Sequence, residues 1–123
     1  MKTTLILTIS LFFSNFLQAS KSEFSSLNEL KKFSKSFNGQ SKLTHLQDKF
    51  NNTCIIDIDR ASGIYSSQAY VYIQKGNKFI LKDALPYIAM ASRRYELSFN
   101  KITVYKKMSS KKELIEKQIM LIP

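Results

Sequence analysis

From Thr53 onward the apolar residues of this chain alternate with period two, where the segment before it repeats at helical spacing. Cys54, Ile56 and Ile58 alternate with Ile55, Asp57 and Asp59. Gln68 to Gln74 repeats the pattern, with Ala69, Val71 and Ile73 set against Tyr70 and Tyr72. Successive side chains of a strand point to opposite faces, so each run describes a strand with one strongly apolar face. The two are expected to pair as a hairpin. Their connection, Arg60 to Ser67, holds Gly63 but no two-residue tight-turn signal, which makes it a longer loop and a candidate contact surface.

Helical spacing brackets these strands. Leu27, Leu30, Phe33 and Phe37 share one helical face, Ser26 with Glu29 forms a capping box, and Asn38-Gly39 is a stop signal, so a helix is expected from Leu27 to Phe37. Leu43, Leu46 and Phe50 suggest a second, short helix ending at Asn51-Asn52. Beyond Gly76-Asn77, which closes the second strand, Asp83 is placed to cap a further helix. Ala84, Leu85, Ile88, Ala89, Ser92 and Tyr95 would form its buried stripe, while Tyr87, Met90, Arg93 and Arg94 face outward. Pro86, near its start, costs little there. Lys101 to Lys106 alternates again, with Ile102 and Val104 opposite Thr103 and Tyr105. Ser110 with Glu113 then favours a helical turn before a last short strand in Ile119 to Ile122. The expected fold is a single α+β domain in the order α-β-β-α-β-β. It has a sheet of three to four mostly antiparallel strands packed with one or two helices.

Upstream, Lys2 precedes Leu5 to Phe13, an apolar run broken only by Thr8 and Ser10, and Leu17 and Ala19 suit a peptidase cleft. Residues 1–19 therefore read as a secretory signal peptide, too short in its apolar core to span a bilayer. Residues 20–123 form the expected domain, of which only residues 20–25 are expected to be partly disordered. The expected location is periplasmic or secreted. A domain of this size buries about two thirds of its unfolded surface without staples, so it need not depend on metals or cross-links.

Composition closes several routes to chemistry. The single Cys54 excludes an internal disulfide framework, and with His45 it leaves too few ligands for a structural zinc site. Gly39, Gly63 and Gly76 stand too far apart for a nucleotide-binding loop. No cofactor and no metal site are expected. A hydrolase-type activity has three plausible actors. His45 is the only imidazole, and Asp57 and Asp59, two apart on one strand, would share a face. The ordinary reading is a surface histidine beside solvated carboxylates. Asn51-Asn52-Thr53 matches a glycosylation acceptor, which matters only in a eukaryotic source.

Charge and aromatic patterning point to binding. Lys and Arg number 19 against 9 Asp and Glu, a formal net charge of +10. Lys31, Lys32, Lys35, Lys106, Lys107, Lys111 and Lys112 supply much of that excess and would draw anions at long range. Strand alternation places Tyr70, Tyr72 and Tyr105 with Lys101 on a face away from the aliphatic core, where tyrosines suit partner contacts. If the first helix covers that face instead, Arg93, Arg94 and the lysines become the better candidates. The expected function is non-enzymatic binding of a protein partner in the envelope or outside the cell, as an accessory, inhibitor or immunity-type module. A polyanion or nucleic-acid binder is the alternative.

Overall fold

Pairing of alternating segments governs nearly all of the described residues. The computed structural model describes residues 22–58 and 68–121. Among them run β1 (Glu23–Phe24), α1 (Leu27–Lys35), β2 (Ser41–Gln47), β3 (Asn52–Ile58), β4 (Ala69–Lys75), β5 (Lys78–Leu85), β6 (Ala91–Ser98), β7 (Lys101–Met108) and β8 (Leu114–Met120). Five strands form one sheet in the order β1-β5-β4-β3-β2, and three form a second, β6-β7-β8. Every pairing is antiparallel. This corrects the expected α+β order: the described residues are mostly β, with two sheets and one short helix among them. The expected β3–β4 hairpin pairing is present, Ile55 lying opposite Val71. The loop from Arg60 to Ser67, the carboxylate of Asp59 and the leader Met1 to Ala19 lie outside the described residues.

The large sheet is covered on both faces. On one side α1 lays Leu30, Phe33 and, just past its end, Phe37 against Cys54, Ile56, Ile58, Tyr70, Tyr72 and Phe79. On the other, the small sheet lays Tyr95, Ile102, Val104 and Ile119 against Ile55, Ala69, Val71, Ile73 and Leu85. The described residues thus form three layers, helix, large sheet and small sheet. A strand buried on both faces reads as a nearly continuous apolar run, which is why Ile55 interrupts the alternation of β3.

The helix obeys its local signals. Ser26 is extended, and its Oγ accepts from the Glu29 amide at 3.2 Å. The chain turns away through Asn38 (φ 53°) and Gly39 (φ 82°), both in the left-handed region. Two other expected helices are strands. Leu43 packs toward α1 and Leu46 toward the small sheet, so their three-residue spacing marks a strand with apolar side chains on opposite faces. Phe50 lies beyond that strand, in the turn. The segment from Asp83 also stays extended: Asp83 Oδ1 accepts from the Ala84 amide at 2.8 Å and Oδ2 meets Lys117 Nζ at 2.6 Å. That carboxylate ties β5 to β8. Pairing of β5 with β4 and of β6 with β7 satisfies the backbone along whole strands and overrides a helical pattern that had only side-chain spacing to recommend it. Met90 takes the left-handed conformation (φ 61°) in the turn just before β6. The helical turn expected near Ser110 is likewise a hairpin turn, and β8 starts at Leu114.

Candidate functional site

The six residues singled out for binding are distributed over three places. Tyr70 and Tyr72 are 1% and 0% exposed, beneath the helix. The Tyr72 ring lies edge-on to Phe24 at 5.2 Å. An exposed platform built on these two is therefore ruled out, because the alternation that set them apart from Val71 turned them toward α1 rather than toward solvent. Burial also pushes the Tyr72 phenol well above its ordinary pKa.

Arg93 and Arg94 part company because they are neighbours on a strand, not on a helix. Arg93 turns inward, its side chain 4% exposed against Glu116 at 11%. The guanidinium donates from Nε and Nη2 to the two Glu116 oxygens at 2.7 and 2.8 Å, from Nη1 to Gln68 Oε1 at 3.0 Å, and from Nη2 to the Pro86 carbonyl at 2.6 Å. A bulge supplies the partner: Val104 pairs with Lys117 and Tyr105 with Ile115, leaving Glu116 as the extra residue. Burial by itself would lower the Arg93 pKa, but the Glu116 hydrogen bonds and charge outweigh it and hold the cation. Arg93 is a structural tie between the sheets.

Arg94, Lys101 and Tyr105 remain together on the outer face of the small sheet. Arg94 lies opposite Tyr105 across β6–β7, its guanidinium carbon 4.2 Å from the ring centroid. Glu113 clamps it with both oxygens, at 2.7 and 3.1 Å, and Glu96 meets Nη1 at 3.1 Å. Those bonds hold the Glu113 carboxyl below its usual range. Ile115 faces Tyr105 from β8, and Met120 faces Lys101. Ile115 and Met120 are 58% and 53% exposed. On this face Thr103 is 6% exposed, and a cavity of about 640 Å³ is lined by Lys101, Thr103, Tyr105 and Ile115 together with Leu46, Gln47 and Asp48 from the end of β2.

The catalytic candidates do not converge. His45 lies opposite Cys54 and Asp57 opposite Lys42, so the two project from opposite faces of the large sheet. The His45 Nε2 pairs with Asn52 Oδ1. Cys54 is fully buried under α1, which pushes its thiol up to about 11. Asn51 stands in the β2–β3 turn, while Thr53 of the same tripeptide is buried. No three His, Cys, Asp or Glu side chains gather at metal-binding range among the described residues.

Two features escaped sequence reasoning. The first is a cleft of about 360 Å³ between the sheets, lined by Lys42, Asp57, Gln68, Arg93 and Tyr95 among others. There Tyr95 donates to Asp57 Oδ1 at 2.6 Å. Burial raises the Asp57 carboxyl, against the opposing pull of Tyr95, Arg93 and Lys42. No spacing in the chain announces a contact between residues 38 positions apart. The second is a pair of aromatic tips, Phe50 in the β2–β3 turn and Phe99 in the β6–β7 turn, 70% and 83% exposed. Asn100, a turn-favouring residue directly before the alternating run from Lys101, is the one local signal for the second tip. No family model, curated protein or solved structure matches the chain.

Proposed function

We propose that this chain is an exported, non-enzymatic binding protein that engages a protein partner through the outer face of its three-stranded sheet. The observation that carries the reading is the Arg94–Tyr105 stack clamped by Glu113 and Glu96. Arg and Tyr are the side chains most often responsible for binding energy at protein interfaces. Here they are held in place before any partner arrives, so little rotamer freedom is lost on contact. Exposed Ile115 beside Tyr105 adds apolar area. The face is also charge-balanced, Arg94 and Lys101 against Glu96 and Glu113, which suits a mixed protein surface and offers a polyanion no net attraction. Export rests on Lys2, the Leu5 to Phe13 run and Ala19.

The test is co-purification from an extract of the source cells, followed by titration of the recovered partner against purified variants. Arg94→Ala and Tyr105→Ala should each weaken binding by about 2 kcal/mol while the fold stays intact. Unchanged affinity in both overturns the assignment of the face. The polyanion reading has one specific support, Lys106, Lys107, Lys111 and Lys112 on the β7–β8 hairpin. It predicts retention on a polyanion that falls steeply with salt and disappears when these lysines are replaced by Gln.

A further inference from the structure

We propose that the tips carrying Phe50 and Phe99 insert into the interfacial layer of an anionic lipid bilayer and hold the domain on a membrane surface. The two turns belong to different sheets, yet they meet side by side, the rings edge to face with centroids 6.5 Å apart. A single exposed apolar side chain is ordinary. Two phenylalanines, 70% and 83% exposed on adjoining tips, form a projecting apolar point.

Both rings are held out by their backbone. In the first turn Asp48 Oδ1 accepts from the amides of Phe50 and Asn51 at 2.8 and 2.7 Å, and the Asp48 amide donates to the Asn51 carbonyl at 2.9 Å. In the second, Asn100 takes the left-handed conformation (φ 59°) and its carbonyl accepts from the Leu121 amide at 3.0 Å. Neither phenylalanine depends on a flexible segment for its position. Lys49 adjoins Phe50 and Lys101 lies two residues past Phe99, while the Asp48 carboxylate is turned onto backbone amides.

Shape and charge select the occupant. A stable protein interface buries about 800 Å² on each side, far more than two rings on a convex tip offer. Attachment to lipid instead scales with apolar area buried in the interfacial layer plus attraction of adjacent lysines to anionic headgroups. The tip adjoins the Arg94–Tyr105 face at Lys101, but its attachment to lipid rests on the two rings and does not depend on a partner at Arg94 and Tyr105.

The chain contains no tryptophan, so Phe99→Trp and Phe50→Trp each place a single reporter at a tip of the full chain. Added vesicles of phosphatidylcholine containing phosphatidylglycerol should shift the emission of either reporter to the blue, and lipids with a quencher on the upper acyl chain should quench it. Pure phosphatidylcholine should do so much less. Replacing both phenylalanines by Ser should weaken vesicle binding about a hundredfold and leave the thermal midpoint unchanged. Lys49→Glu with Lys101→Glu should remove the preference for the anionic vesicles. An unshifted reporter in a chain that still sediments with vesicles places attachment elsewhere and overturns the proposal. So does a shift that follows protein concentration without lipid, which would mean that a second copy covers the tip.

Discussion

Ile55 and Ile56 are consecutive residues of β3, each with no exposed surface, yet Ile56 belongs to the layer under α1 and Ile55 to the layer against the small sheet. Truncating either to Ala deletes three carbons from a closed environment. At about 0.8 kcal/mol per buried methylene the transfer loss is about 2.4 kcal/mol, and the cavity left behind raises it to about 3 to 4 kcal/mol. A domain of this size is stable by about 5 to 15 kcal/mol, so both variants should still fold and be measurable. In urea titrations followed by circular dichroism, both midpoints should fall by similar amounts with an unchanged slope. In thermal scans each should lose at least about 12 °C, at about 4 °C or more per kcal/mol. Ile115→Ala, on the open face, should cost less than about 0.5 kcal/mol. If one of the two central variants loses more than about 2 kcal/mol and the other less than about 0.5 kcal/mol, the sheet is covered on one face only and the three-layer description fails.

Arg93→Ala should destabilise the fold by about 3 to 5 kcal/mol because it leaves Glu116 buried without its counter-charge, whereas Arg94→Ala should cost no more than about 1 kcal/mol; equal losses in chemical denaturation would place both arginines on one face. Asp57 has a folded pKa raised by burial above the ordinary 3.8, so the folded chain binds this proton more tightly and stability falls as pH rises through that window. Asp57→Asn, which keeps an acceptor for Tyr95, should therefore raise the thermal midpoint at pH 7 and by much less at pH 3; an equal gain at both would refute the role of ionisation. With its thiol pushed up to about 11, Cys54 should be a thiolate in only about one molecule in a thousand at pH 8. A thiol reagent should label it only after unfolding, and prompt labelling of the native chain would contradict its burial.

The candidate site was legible in part. Arg94, Tyr105 and Lys101 can be chosen from charge and alternation, and they do share a face. Tyr70 and Tyr72 carry the same local signal and are buried, because nothing in a strand's own alternation says which of its faces another layer will cover. Arg93 and Arg94 look alike in any composition argument. They separate only when the segment is extended, since a helix would present both outward and a strand turns one in and one out. Gln68, Tyr95 and Glu116 become important only through contacts between distant segments, to which a bulge at Glu116 contributes its extra residue.

By itself the sequence determined what depends on neighbours along the chain. The Ser26 cap, the stop at Asn38-Gly39 and the apolar stripe of α1 are local, as are the period-two runs of β3, β4 and β7, because cap hydrogen bonds and side-chain direction are set within a few residues. Only the tertiary structure decided that Leu43 to Leu46 and the segment from Asp83 to Tyr95 are strands. Their apolar spacing is compatible with either state, and the choice falls to the partner strand that satisfies the whole backbone. It also decided that the large sheet is covered on both faces, since burial is a property of which layers meet and no single strand encodes its second neighbour.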